Sequence, residues 1–236
     1  MKRLLFLPVF CLLAACASFD EPAGASLRNL MQVDVVPEEL GESTPQVSYS
    51  AEVLLARAEG YFSQRRFDEA AQEYARFMEL HETHPWAAYA LFREGMSYIS
   101  QIQSSDREPG FPRRARQAFE RLLTTYPDSP AVPYAKEKLA WVLDQQAAYE
   151  LGVARFYLRT HREEAALGRL QDLIKTFPDT QSAKDALFDL GLALERTNQP
   201  EDAAAAYRAF LNTPDTTEDP KKTARAEAAL IRLEGG

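Results

Sequence analysis

One stretch limits what this chain can become. Residues 115–129, ARQAFERLLTTYPDS, return later as residues 166–180, ALGRLQDLIKTFPDT. In the first copy Ala115, Phe119, Leu122 and Leu123 fall at i, i+4, i+7 and i+8, which aligns one apolar stripe along an α-helix. Pro127 breaks that helix, Asp128 or Ser129 can accept free amides of the next one, and Pro130 suits a first helical turn. Ala166, Leu170, Leu173 and Ile174 repeat the stripe, and Phe177, Pro178, Asp179 and Thr180 repeat the corner. A recurring helix, corner and helix start cannot bury its stripe alone, so the pattern predicts a stacked helical array.

The same grammar runs through the rest of the chain from residue 51. Small residues at Ala58 and Ala70 let two antiparallel helices approach closely, while Tyr61, Tyr74 and Phe77 fill the space around that contact. This is the tetratricopeptide pattern. Gly95 and Tyr98 restart it, with a partner helix expected over residues 113–125. Tyr98 and Ala115 stand further apart than the template requires, which predicts an inserted loop within residues 102–112. Residues 131–148 and 149–158 read as helical without a proline between them, so either one rod bent at Gly152 or two helices fits. Gly191 with Ala203, Tyr207 and Phe210 matches the template well, and a helix over residues 220–233 reads as a polar cap. The expected fold is all-α, a tetratricopeptide-like solenoid of about ten helices over residues 51–236, preceded by a flexible tether.

The beginning of the chain is of a different kind. Lys2 and Arg3, an apolar run from Leu4 to Leu13 and small residues before Cys16 compose a secretion signal over residues 1–15, too short to remain as a membrane span. Leu13-Ala14-Ala15-Cys16 resembles the bacterial lipobox, which implies that Cys16 is acylated and that Cys11 leaves with the signal, so no thiol is left for redox or metal chemistry. Ala17 after the cysteine differs from the aspartate that tends to retain lipoproteins at the inner membrane, and so implies the periplasmic face of the outer membrane. Residues 16–50 contain Pro22, Pro37 and Pro45 with no sustained period and read as the tether, able to reach about 100 Å when extended. Residues 27–36 hold enough apolar side chains to dock transiently.

Charge and chemistry exclude several classes. With 27 basic and 35 acidic residues the chain carries a net −8, and its basic residues form no run beyond pairs, which argues against nucleic acid as a partner. His81 and His84 invite a metal reading, but Pro85 pushes His84 out of helical conformation and a third ligand is not evident in the neighbouring sequence. His161 lies in a turn between basic residues. Neither a phosphate loop, a nucleophile elbow nor a cysteine–histidine pair is present, and Asp68-Glu69 and Glu163-Glu164 sit at helix starts, where the dipole explains them. The expectation is a protein without catalytic residues, metal or cofactor. The aromatic series Tyr61, Tyr74, Phe77, Tyr98, Phe119, Tyr157 and Tyr207 is expected to pack.

Three stretches together go beyond a generic repeat: Ser105-Asp106-Arg107-Glu108-Pro109 in the insertion, the AFERLLTTYPDS helix, and LDQQAAYELGVARFYLR over residues 143–159 with its Tyr149-Glu150, Val153-Ala154 and Phe156-Tyr157 pairs. This combination resembles the BamD family of outer-membrane assembly lipoproteins. The resemblance implies a non-catalytic scaffold of the machinery that folds β-barrels into the outer membrane, bound to the periplasmic domains of the barrel-forming subunit. It also brings other assembly lipoproteins and nascent outer-membrane proteins into view as partners. The family's partner-binding arginines fall at Arg159 and Arg169, and a planar guanidinium fork suits a carboxylate across an interface. The family usually has five repeats, whereas the first match here begins where its second repeat would. The alternative reading is another periplasmic tetratricopeptide adaptor, coordinating envelope constriction or peptidoglycan synthesis.

Overall fold

The computed structural model describes residues 27–34, 49–102, 110–213 and 219–235. The signal, Cys16, much of the tether and the Ser105 to Pro109 motif lie outside the described residues. Among the described residues nine long helices follow in order: α1 (Ala51–Ser63), α2 (Phe67–Leu80), α3 (Ala87–Ile99), α4 (Gly110–Thr125), α5 (Val132–Arg159), α6 (Glu163–Thr176), α7 (Gln181–Arg196), α8 (Pro200–Leu211) and α9 (Pro220–Glu234). A further helical turn covers residues 27–30. The protein is an all-α, tetratricopeptide-like array in which each helix packs on its neighbour in sequence. No helix among the described residues is long and apolar enough to cross a membrane.

The small-to-aromatic rule explains the tight helix pairs. Ala58, Ala70 and Tyr74 are fully buried in the first pair. A Cβ at Gly95 would lie 2.6 Å from the Phe119 ring, and one at Gly191 would lie 2.6 Å from the Tyr207 ring, so glycine is required at both positions. Three hairpin turns share one device. Arg65, His161 and Asn198 adopt left-handed conformation. The next amides, those of Arg66, Arg162 and Gln199, then donate back to the carbonyls of Tyr61, Tyr157 and Leu194. This is the glycine-type helix stop built from other residues.

Two expectations at the corners change. α4 begins at Gly110, three residues before the expected Arg113, and buries Pro112 in its first turn. Pro130 sits in the turn before α5, and Pro133 takes the first-turn position that needs no amide donor. Ser129 accepts from the amide of Ala131, and Thr180 caps α7 by accepting from the amide of Ala183. The open choice over residues 131–159 resolves to a single rod, the 28-residue α5. Gly152 is simply one of its exposed residues. One hydrophobic cluster reaches as far as Val142 and the second begins at Ala147, so α5 joins the two halves of the array.

Part of the stretch expected to be tether instead packs on the folded body. Leu27 and Val33 are 0% and 4% exposed and belong to the first hydrophobic cluster. Between them Arg28 forms an ion pair with Glu59, itself 2% exposed, and its Nε lies 3.3 Å from the Tyr89 hydroxyl. Glu59 also accepts from the hydroxyls of Tyr74 at 2.6 Å and Tyr89 at 2.8 Å, and from Arg93 Nε at 3.0 Å. Arg93 in turn lies 3.6 Å above the Phe62 ring. One carboxylate thus ties α1, α2, α3 and residues 27–34 together.

Burial alone would raise the Glu59 carboxyl, but Arg93 and Arg28 beside it outweigh that cost and hold it below the usual carboxylate range. A depressed folded-state value means that the stabilisation is complete above the unfolded value of about 4.3 and is lost as pH falls below it. Glu59→Ala leaves Arg93 buried without its counter-charge, a change that costs about 3–5 kcal/mol. The thermal midpoint at pH 7 should fall by roughly 10 °C. In a pH series followed by circular dichroism, the gap between wild type and Glu59→Gln should narrow below about pH 4; a gap independent of pH would show that the charge of Glu59 does not stabilise the fold.

Candidate functional site

Helices α5 and α6 form an antiparallel hairpin whose outer face carries both arginines singled out in the sequence. The stripe Ala166, Leu170 and Leu173 turns inward, with Ile174 at its partly buried edge. Arg169, about 100° around the helix from Leu170, is left exposed. Its Nη1 lies 3.1 Å from Glu150 Oε2, and its guanidinium carbon lies 5.6 Å from the centre of the Tyr157 ring. An exposed ion pair of this kind is worth about 0–1 kcal/mol, so Glu150 holds the guanidinium in place without committing it. Arg159 is exposed at the last position of α5, where a cation complements the helix dipole. It pairs with no carboxylate among the described residues.

Around these arginines the hairpin shows apolar surface that its own packing does not use. Tyr149 and Phe156 stand seven residues apart on α5, hence on one face, and are 36% and 51% exposed. Gly152 lies between them and Gly168 immediately precedes Arg169. At either glycine an added Cβ would meet nothing within 4 Å. A glycine inside a helix costs about 1 kcal/mol relative to alanine, and neither gains it back from contacts within the chain, in contrast to Gly95 and Gly191. The face therefore combines guanidiniums, exposed aromatics and two places where a foreign backbone can approach closely.

The chemistry elsewhere is structural. His81 and His84 have ring centres 6.4 Å apart, and His81 Nε2 lies 2.6 Å from the Tyr49 carbonyl oxygen. No group of three potential metal ligands comes together among the described residues. Tyr74, Phe77, Phe119 and Tyr207 are fully or nearly fully buried, and Tyr61, Tyr98 and Tyr157 are partly so, as packing residues should be. Burial pushes the Glu94 carboxyl up to about 7 against the opposing pull of Arg121. The cluster around Glu59 escaped the reading of the sequence, although a glutamate four residues after Leu55 on an apolar helix face was the available signal. Tyr149 and Phe156 were legible as a motif and not as exposed surface.

The family model described as outer membrane lipoprotein, YfiO, matches residues 37–209. Outer membrane protein assembly factor BamD of Vibrio cholerae is 32% identical over 69% of this chain and 75% of its own length. The protein of that name from Neisseria meningitidis serogroup A is 30% identical over 70% of this chain and 65% of its own, and the one from Caulobacter vibrioides is 27% identical over 64% and 50%. A thermophilic TPR protein in Thermus thermophilus is similar over 77% of this chain and all of that one, at 16% identity and a TM-score of 0.32. The relatives carry the name of an assembly factor, in line with a non-catalytic scaffold. On the extent of the match to the family model and to the relative from Vibrio cholerae, the chain belongs to the BamD family of outer membrane lipoproteins.

Proposed function

We propose that this chain is a scaffold of outer-membrane protein assembly, held at the periplasmic face of the outer membrane by acylated Cys16. Its α5–α6 face receives a periplasmic domain of the barrel-forming subunit. The observation that supports this most is the outer surface of the hairpin, where Arg159 has no carboxylate partner among the described residues, Arg169 is only loosely held by Glu150, and Phe156 is half exposed. A partner that presents carboxylates around a shallow apolar patch satisfies all of these at once. Aromatics and arginine are the side chains that contribute most at protein interfaces.

Docking of residues 27–34 bears on how the scaffold stands on the membrane. Were residues 17–50 free, the body could stray about 100 Å from its anchor. With Leu27 seated in the first hydrophobic cluster, roughly eleven residue steps separate it from Cys16, at most about 40 Å of chain. The ion pair of Arg28 with Glu59 would then hold the first helix pair close to the bilayer, with the α5–α6 face further along the array.

Two measurements test this reading. Arg169→Glu should weaken binding of the purified periplasmic domain at least tenfold, because a buried guanidinium–carboxylate contact contributes on the order of 2 to 5 kcal/mol. Its thermal midpoint should hardly move, since substitutions at such exposed positions stay within about 0.5 kcal/mol; an unchanged affinity in the folded variant would remove Arg169 from the interface. Cys16→Ser should abolish acylation and leave an uncleaved precursor or a soluble protein, as seen by membrane fractionation and mass spectrometry. Processed, fully membrane-bound protein without an acyl chain would contradict the anchor.

A further inference from the structure

The last two inward helices of the array do not close on each other as the preceding pair does. Between α5 and α7, Arg155 bridges Asp189 at 2.6 Å and Asp185 at 3.1 Å. Between α7 and α9 the cross-links stand at the two ends: Lys222 reaches Asp185 at 2.7 Å, and Arg232 pairs with Glu195. The two helices therefore run parallel, and toward their C-terminal halves they leave a cleft of about 290 Å³ lined by Leu192, Glu195, Arg196, Arg225, Ala228, Ala229 and Arg232. The cleft exists because α9 presents alanines at 228 and 229 where larger side chains would fill the space opposite Leu192.

Its chemistry is one-sided. Glu195, the sole carboxylate in the lining, is already committed, accepting from the Tyr207 hydroxyl at 2.6 Å and pairing with Arg232. Arg196 donates to the Leu158 carbonyl at 3.3 Å and lies 3.8 Å from Glu163. Arg225 contacts the Phe188 ring at 5.8 Å and pairs with no carboxylate among the described residues. Three guanidiniums against Glu195 in the lining and Glu163 beside Arg196 leave a local charge of +1 in a chain whose net charge is −8. An acidic ligand is repelled over most of the surface and attracted here.

We propose that the α7–α9 cleft is a docking groove for an acidic, extended segment of a partner protein. Carboxylates of the segment pair with Arg225 and Arg196, and an apolar side chain between them rests on Leu192, Ala228 and Ala229. The volume of about 290 Å³, just below the range of about 300–1,000 Å³ usual for ligand pockets, suits one or two side chains and not a cofactor. The floor is apolar and the walls are cationic, which distinguishes the groove from a patch that would attract any anion. Its Arg196 wall adjoins the α5–α6 turn at Leu158 and Glu163, while the rest of the lining belongs to α7 and α9.

The test uses the full chain and a fluorescein-labelled decapeptide of alternating glutamate and leucine, followed by anisotropy at low and high salt. Binding should weaken with salt and fall at least tenfold in Arg225→Glu, while Arg225→Lys keeps most of it. Ala228→Trp, which fills the cleft without altering charge, should also abolish binding, and circular dichroism should show all three variants folded. Equal affinity in Arg225→Glu and wild type, equal binding of the peptide with lysine in place of glutamate, or no binding up to millimolar concentration would each overturn the proposal. So would Arg225-dependent binding to vesicles of anionic phospholipid with none to the peptide.

Discussion

The first half of this structure depends on a carboxylate that water does not reach. Glu59 sits on α1 among apolar neighbours, and two tyrosine hydroxyls and two guanidiniums converge on it from α2, α3 and residues 27–34. Taking two charges out of water is expensive, and the cost is recovered only where every lone pair and donor finds a partner. Both oxygens of Glu59 are met, Oε1 by Tyr74, Tyr89 and Arg93 and Oε2 by Arg28 and Arg93. Arg28 brings a second guanidinium to Glu59 Oε2, where Arg93 Nη2 stands at 3.3 Å, so residues 27–34 take part in offsetting the burial of the carboxylate. The segment also gives the start of the array a cover, because Leu27 and Val33 shield apolar surface that a further repeat would otherwise bury.

The second constraint is the continuity of α5. A helix of 28 residues shared by two hydrophobic clusters lets neither half of the array turn freely against the other. Its second half has an inner face that packs on α6 and α7 and an outer face that carries Tyr149, Gly152, Phe156 and Arg159. A binding face built on such a rod is presented in one orientation, which suits a scaffold. The α7–α9 cleft is positioned by the same logic, since its walls are also rigid helices pinned at both ends by ion pairs.

Much of the fold was legible because the determinants are local. The apolar stripes, the proline corners and the small residues facing aromatics all act within a single helix pair, so Ala58 with Tyr74, Gly95 with Phe119 and Gly191 with Tyr207 could be anticipated from spacing alone. What escaped is non-local. Glu59 and Arg93 are separated by 34 residues, and Arg28 and Glu59 by 31, distances over which periodicity carries no information. The continuity of α5 was ambiguous because a glycine inside a helix reads the same whether it bends the rod or opens a surface. Arg159 and Arg169 were found through the resemblance to a family and not from their own pattern, since an exposed arginine looks alike whether or not it binds. The glycines beside them supplied the physical signal, but only once the structure showed empty space around Gly152 and Gly168.

Family and array fit a part in outer-membrane protein assembly, and the open hairpin face is where the proposed partner would dock. The most direct measurement is capture from native membranes with the full-length protein as bait, followed by identification of the proteins recovered. The account predicts a barrel protein that carries soluble periplasmic domains as the principal partner. Recovery of septal or peptidoglycan-synthesising enzymes alone would contradict it and assign the array to the coordination of the cell envelope.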